Sequence, residues 1–150
     1  MMCDRVHTTA HIRNKHEKEK TMENVQKEFG QWLDANLETA PLSELTAINF
    51  NLYEADEEQL FHVQVVGTAS FDEEDEDWAC DEVFSSGEDI FFLRAEDWEV
   101  CLESCAELVR HYLDEGKFAD TLKAKRAVAM GFVDGDLEII YENDSRAESR

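Results

Sequence analysis

Positive charge is what this chain has least of. Its 150 residues hold 14 Lys+Arg against 36 Asp+Glu, a formal net charge of −22. The shortage is sharper beyond the first 21 residues. That stretch contains five basic side chains (Arg5, Arg13, Lys15, Lys18 and Lys20) and three acidic ones (Asp4, Glu17 and Glu19), so residues 22–150 carry 9 basic against 33 acidic, a net of −24. Basic side chains this sparse do not follow a phosphate backbone. Such a surface repels nucleic acid and anionic membranes, and it attracts basic proteins. Direct nucleic-acid binding and membrane association are therefore not expected.

Other absences narrow the field. No run of 18 apolar residues occurs, so no transmembrane helix is expected. Met1 to Lys20 is polar and lacks the apolar core of a signal peptide, which makes the cytoplasm the default location. Six glycines form no phosphate-cradling loop. Four cysteines show neither a disulfide framework nor a Cys-x-x-Cys pair, so a zinc site drawn from Cys80, Cys101, Cys105 and a histidine has little support. Cys101 and Cys105 stand one helical turn apart inside an apolar stripe, as small buried hydrophobes would. A nucleophilic thiol needs positive surroundings, and here they are negative. His62 and His111, the histidines outside the leader, fall on a polar strand face and near a helix end. No catalytic residue, metal site or cofactor is read from the chain, and it is not expected to be an enzyme.

What is present is enough apolar residue for a core. Hydrophobic side chains make up 43% of the sequence, with nine Phe, three Trp and three Tyr, so global disorder is not expected. Three segments follow. Residues 1–20 read as a flexible, basic leader with His7, His11 and His16, and Met22 is a candidate true start. Residues 21–143 read as a single domain, and residues 144–150 as a polar tail.

Within the domain, Val25, Phe29, Trp32, Leu33 and Leu37 share one helical face, with Thr21 as N-cap and an end before Pro41. Leu45 to Glu54 alternates, placing Ile48, Phe50 and Leu52 on one side of a strand. Leu60 to Phe71 reads as a second strand, antiparallel to the first across a short turn, with Gly67 as a candidate bulge. Trp78 to Phe84 and Ile90 to Leu93 are candidate strands around a turn at Ser85 to Asp89. Trp98, Cys101, Leu102, Cys105, Leu108, Val109 and Tyr112 then form a helical stripe, with Glu96 and Asp97 at its start and Gly116 as C′ residue. Asp134-Gly135 between two apolar runs signals a tight hairpin. The expected fold class is α+β: an antiparallel sheet of about five to six strands with two main helices packed on one face.

The one unusual motif is the unbroken acidic run Asp72, Glu73, Glu74, Asp75, Glu76 and Asp77, followed by Trp78. It fails as an EF-hand calcium loop: the sixth position from Asp72 is Asp77 where Gly is needed, and the twelfth is Val83 where Glu is needed. The bland reading is a solvated loop. The functional reading is a docking surface for a basic protein, with the six acids steering and Trp78 as anchor, sharpened slightly by Trp32, although a core position for Trp78 outweighs a hot-spot one. Glu54, Asp56, Glu57 and Glu58 make a second acidic turn, expected at the opposite end of the sheet, about 30 Å away. Asp81, Glu82, Glu88 and Asp89 are candidates to extend the first patch. The leading expectation is an immunity-like or antitoxin-like inhibitor of a basic nuclease. The alternatives are a DNA mimic or regulatory module, a generic acidic domain, and, behind these, a metal-dependent enzyme.

Overall fold

The computed structural model describes residues 22–72, 74–133 and 135–143. The leader, Thr21, Glu73, Asp134 and the tail lie outside the described residues. Strands and helices follow in the order α1 (Met22–Leu37), β1 (Ala47–Glu54), β2 (Leu60–Thr68), β3 (Glu82–Ser85), β4 (Phe91–Arg94), α2 (Trp98–Glu115), α3 (Ala119–Lys123), β5 (Ala127–Phe132) and β6 (Glu138–Glu142). Short 3-10 turns occupy Leu42–Glu44 and Glu76–Cys80. No helix of the described residues is long and apolar enough to cross a membrane.

The expected alternation in β1 sets the core. Ile48, Phe50 and Leu52 are fully buried, and across the ladder they stand beside Phe61, Val63 and Val65 of β2 and Val128 and Met130 of β5. Phe29, Leu33 and Leu37 of α1 pack on this face, as do Cys101, Cys105, Leu108 and Val109 of α2 and Leu122 of α3. Phe29 sits at the centre of an aromatic group, with Phe91 edge-on at 5.3 Å and Phe50 at 5.9 Å. Both main helices thus cover one side of the sheet.

The sheet itself departs from the expectation. It has six strands, and it is mixed rather than antiparallel. β1 pairs antiparallel with β2 but parallel with β5, with Ile48 opposite Val128 and Phe50 opposite Met130. The path from β1 to β5 takes in three strands and two helices, so no local turn signal announces that pairing. Among the described residues there are three α-helices, the third only five residues long.

β3 and β4 do not pair with each other. Both pair antiparallel with the same edge of β2, β3 at Val66 to Thr68 and β4 at Leu60 to Val63. They form one edge strand interrupted by residues 86–90. That loop stays hooked to β2, because Ser86 N–H donates to Val65 O at 2.9 Å and Ser86 Oγ accepts from Val65 N–H at 3.2 Å. The expected strand from Trp78 begins only at Glu82, since residues 76–80 coil into a 3-10 turn. The register shift between Gly67 and Thr68 against β3 is the irregularity that Gly67 suggested.

Helix α2 begins as read, with Asp97 Oδ1 accepting the Val100 N–H at 3.0 Å. Its end differs. Gly116 is extended (φ −75°, ψ 160°), not left-handed. Glycine is required there by contact: a Cβ would lie 2.4 Å from the Tyr112 ring. That ring turns back because its hydroxyl donates to Asp34 Oδ1 of α1 at 2.6 Å and accepts the Phe118 N–H at 3.0 Å. One side chain therefore joins α1, α2 and the approach to α3.

Candidate functional site

The side of the sheet away from the helices is built from small residues. Ala47, Ala127 and Ala129 are fully buried there, under Trp78 and Ala79, with Phe71 and Leu137 packed against them. Gly131 continues the row. A Cβ on it would lie 2.5 Å from the Asp136 carbonyl, so the chain after β5 crosses close over the strand. Small side chains leave the depth that a Trp ring fills.

This arrangement decides how the acidic run is displayed. Trp78 is only 5% exposed, with its ring edge-on to Phe71 at 5.0 Å. Arg126 stacks over the other member of that pair, 5.0 Å from the Phe71 ring centre. Trp78 thus holds the loop onto the sheet, in the core position that outweighs the anchor role, instead of facing a partner. Asp72, Glu74, Asp75, Glu76 and Asp77 all face solvent. Glu73 lies outside the described residues.

Three of the acids have local structural work. Asp72 Oδ1 accepts the Glu74 N–H at 2.9 Å, and Asp75 Oδ1 accepts the Asp77 N–H at 3.0 Å as N-cap of the 3-10 turn. Glu76 Oε2 accepts the Leu137 N–H at 3.3 Å, which ties the loop to the segment before β6. Among the described residues, no Lys or Arg forms an ion pair with these five. Basic side chains are engaged elsewhere: Arg94 with Glu57 at 3.1 Å, and Lys117 with Glu38 at 2.7 Å. Among the described residues, the five acids form a cluster of negative charge that no Lys or Arg offsets.

The other acids divide. β2 separates the acidic run from the Glu54 to Glu58 turn by nine residues, about 26 Å at the rise of a strand. Beyond β2 the acidic run turns back over the second face, where Glu76 meets the Leu137 N–H. Asp89 belongs to neither. Its backbone carbonyl accepts the Trp32 indole N–H at 2.9 Å, and its carboxylate accepts from Asn36 Nδ2 at 3.1 Å, so it secures the 86–90 loop to α1. Trp32 is half-buried in that contact and packs on Phe29 and Phe91.

The thiols follow their surroundings. Burial pushes the Cys101 pKa up to about 12, and burial, then the neighbouring Cys101, pushes Cys105 up as well. Both are free and buried, and neither is a thiolate near neutral pH. Cys80 is disulfide-bonded, a state its spacing gave no reason to expect. His111 pairs with Glu115 one turn away at 3.5 Å, and His62 stands edge-on to Phe92 at 5.0 Å. Among the described residues, no group of three or more His, Cys, Asp or Glu is arranged to hold a metal ion.

Two features escaped the sequence reading. The first is a row of amides across the second face. Asn49 donates to Asn51 Oδ1 at 2.8 Å, Asn51 donates to Gln64 at 3.4 Å, and the Tyr53 hydroxyl donates to the same Gln64 oxygen at 2.9 Å. Asn49 is 1% exposed and its Oδ1 has no partner, which nothing in the structure explains. The second is a groove of about 740 Å³ where β1 and β5 end side by side, next to the start of α2. Trp98 and Phe132 form an aromatic wall, with ring centroids 6.5 Å apart and near-perpendicular planes. Trp98 shares the helical spacing of the apolar stripe of α2, yet it is 52% exposed. As the first helical residue it lies beyond the end of the sheet that the rest of the stripe covers.

No protein-family model, curated protein or solved structure matches this chain.

Proposed function

We propose that this chain is a protein-binding module that docks a basic protein partner through its acidic surface. The sharpest form of the proposal is an inhibitor that occupies the positively charged substrate site of a nuclease. A nuclease carries positive charge to hold a polyanion, and an acidic protein gains electrostatic steering toward that site.

The observation that carries the reading is the 72–77 loop. Its acids are exposed, and none of those described is neutralised by a Lys or Arg. The loop is also held in place, by Trp78 below it and by the Glu76 contact to Leu137 N–H. A loop already ordered loses less conformational entropy when a partner binds. In this arrangement the acids supply steering, and Trp78 supplies the rigidity behind them.

The test replaces charge without disturbing the fold. The amide variants Asp72→Asn, Glu74→Gln, Asp75→Asn, Glu76→Gln and Asp77→Asn, combined, keep every oxygen that caps a backbone N–H in the loop. The native protein, immobilised in nuclease-treated lysate from its own source, is expected to retain one basic protein at near-stoichiometric amount through moderate salt. The five-amide variant is expected to associate with that protein more slowly at low salt, with a smaller change in dissociation. A smear of basic proteins that washes off together, equally from both forms, would sink the proposal.

A further inference from the structure

The groove beside Trp98 lies outside the acidic run and has its own chemistry. Its floor and wall are apolar, from Leu102, Phe132 and the half-exposed indole of Trp98. Its rim is acidic, from Glu54, Asp136 and Glu138, all of them exposed. Among the described residues, no Lys or Arg forms an ion pair with these three carboxylates. The start of α2 faces the same space, but Asp97 caps it and Glu96 and Glu99 flank it, so its positive end is offset by negative charge. An aromatic face beside several carboxylates is complementary to one common side chain. A guanidinium stacks flat on an indole and donates to carboxylates around its edge, while its methylene stem covers apolar surface.

We propose that this groove receives an arginine side chain from the basic partner, stacked on Trp98 and paired with the carboxylates of Glu54, Asp136 and Glu138. The proposal rests on the basic-partner reading above and adds the place where that partner is gripped. Steering belongs to the charged loop, and specific contact to the aromatic groove beside it, whose lining residue Leu137 donates its N–H to Glu76 of the loop. Trp and Arg are the residue types most enriched where binding energy concentrates.

The probe is hexa-arginine, titrated at low salt into the isotope-labelled protein while the three indole N–H signals are followed by NMR. The Trp98 signal is expected to shift first and furthest, because Trp78 is buried and the Trp32 indole is already bonded to Asp89. Trp98→Ala is expected to weaken binding about threefold to fivefold, as loss of an exposed cation–π contact would. The triple variant Glu54→Gln, Asp136→Asn, Glu138→Gln is expected to weaken it about tenfold, as loss of three surface charge pairs would. A control triple on the outer side of α2 (Glu103→Gln, Glu107→Gln, Asp114→Asn) removes the same charge and is expected to stay within about twofold. Equal weakening by both triples, with no preferential Trp98 shift, overturns the groove assignment and leaves the basic-partner reading standing. Absence of any binding at low salt overturns both. The indole shifts are read on the unmodified protein, so the test does not depend on a variant folding.

Discussion

Tyr112→Phe tests the packing that places the two main helices on the sheet. The phenol oxygen donates to the Asp34 carboxylate at 2.6 Å and accepts the Phe118 N–H at 3.0 Å, both partly buried. Burial first, and then the Asp34 hydrogen bond, hold the phenol proton well above its usual range, so the hydroxyl is a firm donor at any physiological pH. A hydrogen bond to a charged group contributes about 1.5–3 kcal/mol, and a neutral one about 0.5–1.5 kcal/mol. Partial solvent access favours the lower half of each range, so losing both is expected to cost about 2–3 kcal/mol. The ring stays, so no cavity term is added. At a urea slope of about 2 kcal/mol per molar, the unfolding midpoint falls by about 1–1.5 M with the slope unchanged. The melting temperature falls by about 5–10 °C for a chain of this size. Asp34→Ala supplies the partner for a double-mutant cycle, and the two losses are expected to be strongly non-additive. A loss below about 0.5 kcal/mol, the size of an ordinary surface substitution, or simple additivity in the cycle would refute the latch.

Three further outcomes follow from the same geometry. Trp78→Ala empties the space over Ala47, Ala127 and Ala129 and is expected to destabilise by about 3–5 kcal/mol in urea unfolding, whereas a Trp serving only as a partner anchor would leave stability unchanged. Stability is expected to fall at alkaline pH: the folded state keeps the Cys101 proton from 9.0 up to about 12 while the unfolded chain releases it, so the contribution is complete below the ordinary thiol pKa and declines by about 1.4 kcal/mol per pH unit above it. Cys101→Ala, followed by urea midpoints across that window, should show a shallower decline, and an unchanged slope would contradict the buried-thiol account. Finally, a net charge of −22 opposes compaction, so the melting temperature should rise between low salt and about 0.15 M, where screening sets in at about 8 Å, and a flat or falling trend argues against self-repulsion.

Local periodicity carried the reading a long way. The 3.6-residue spacing of Phe29, Leu33 and Leu37, and of Cys101, Cys105, Leu108 and Tyr112, marks two helix faces that are buried as read. The two-residue alternation at Ile48, Phe50 and Leu52 marks the strand side that meets them. These patterns were legible because each helix or strand must present an apolar face, whatever it packs against. The candidate site was legible only as composition. Six consecutive acids on an exposed loop need no tertiary information to recognise, and the five described are all exposed.

Tertiary structure alone decided the rest. The parallel pairing of β1 with β5 joins residues some eighty positions apart and depends on everything packed between them, so no turn residue signals it. β3 and β4 share one edge of β2 because the 86–90 loop returns to the same ladder, a fact fixed by Ser86 and Val65 together. The two tryptophans take contrasting places that only the folded chain explains. Trp78, beside six acids, turns inward because Ala47, Ala127 and Ala129 leave room for it, and Trp98, in register with a buried stripe, stays in water because the sheet ends before it. Whether a large side chain is covered depends on the volume left by residues distant in sequence, and that volume exists only once the chain has folded.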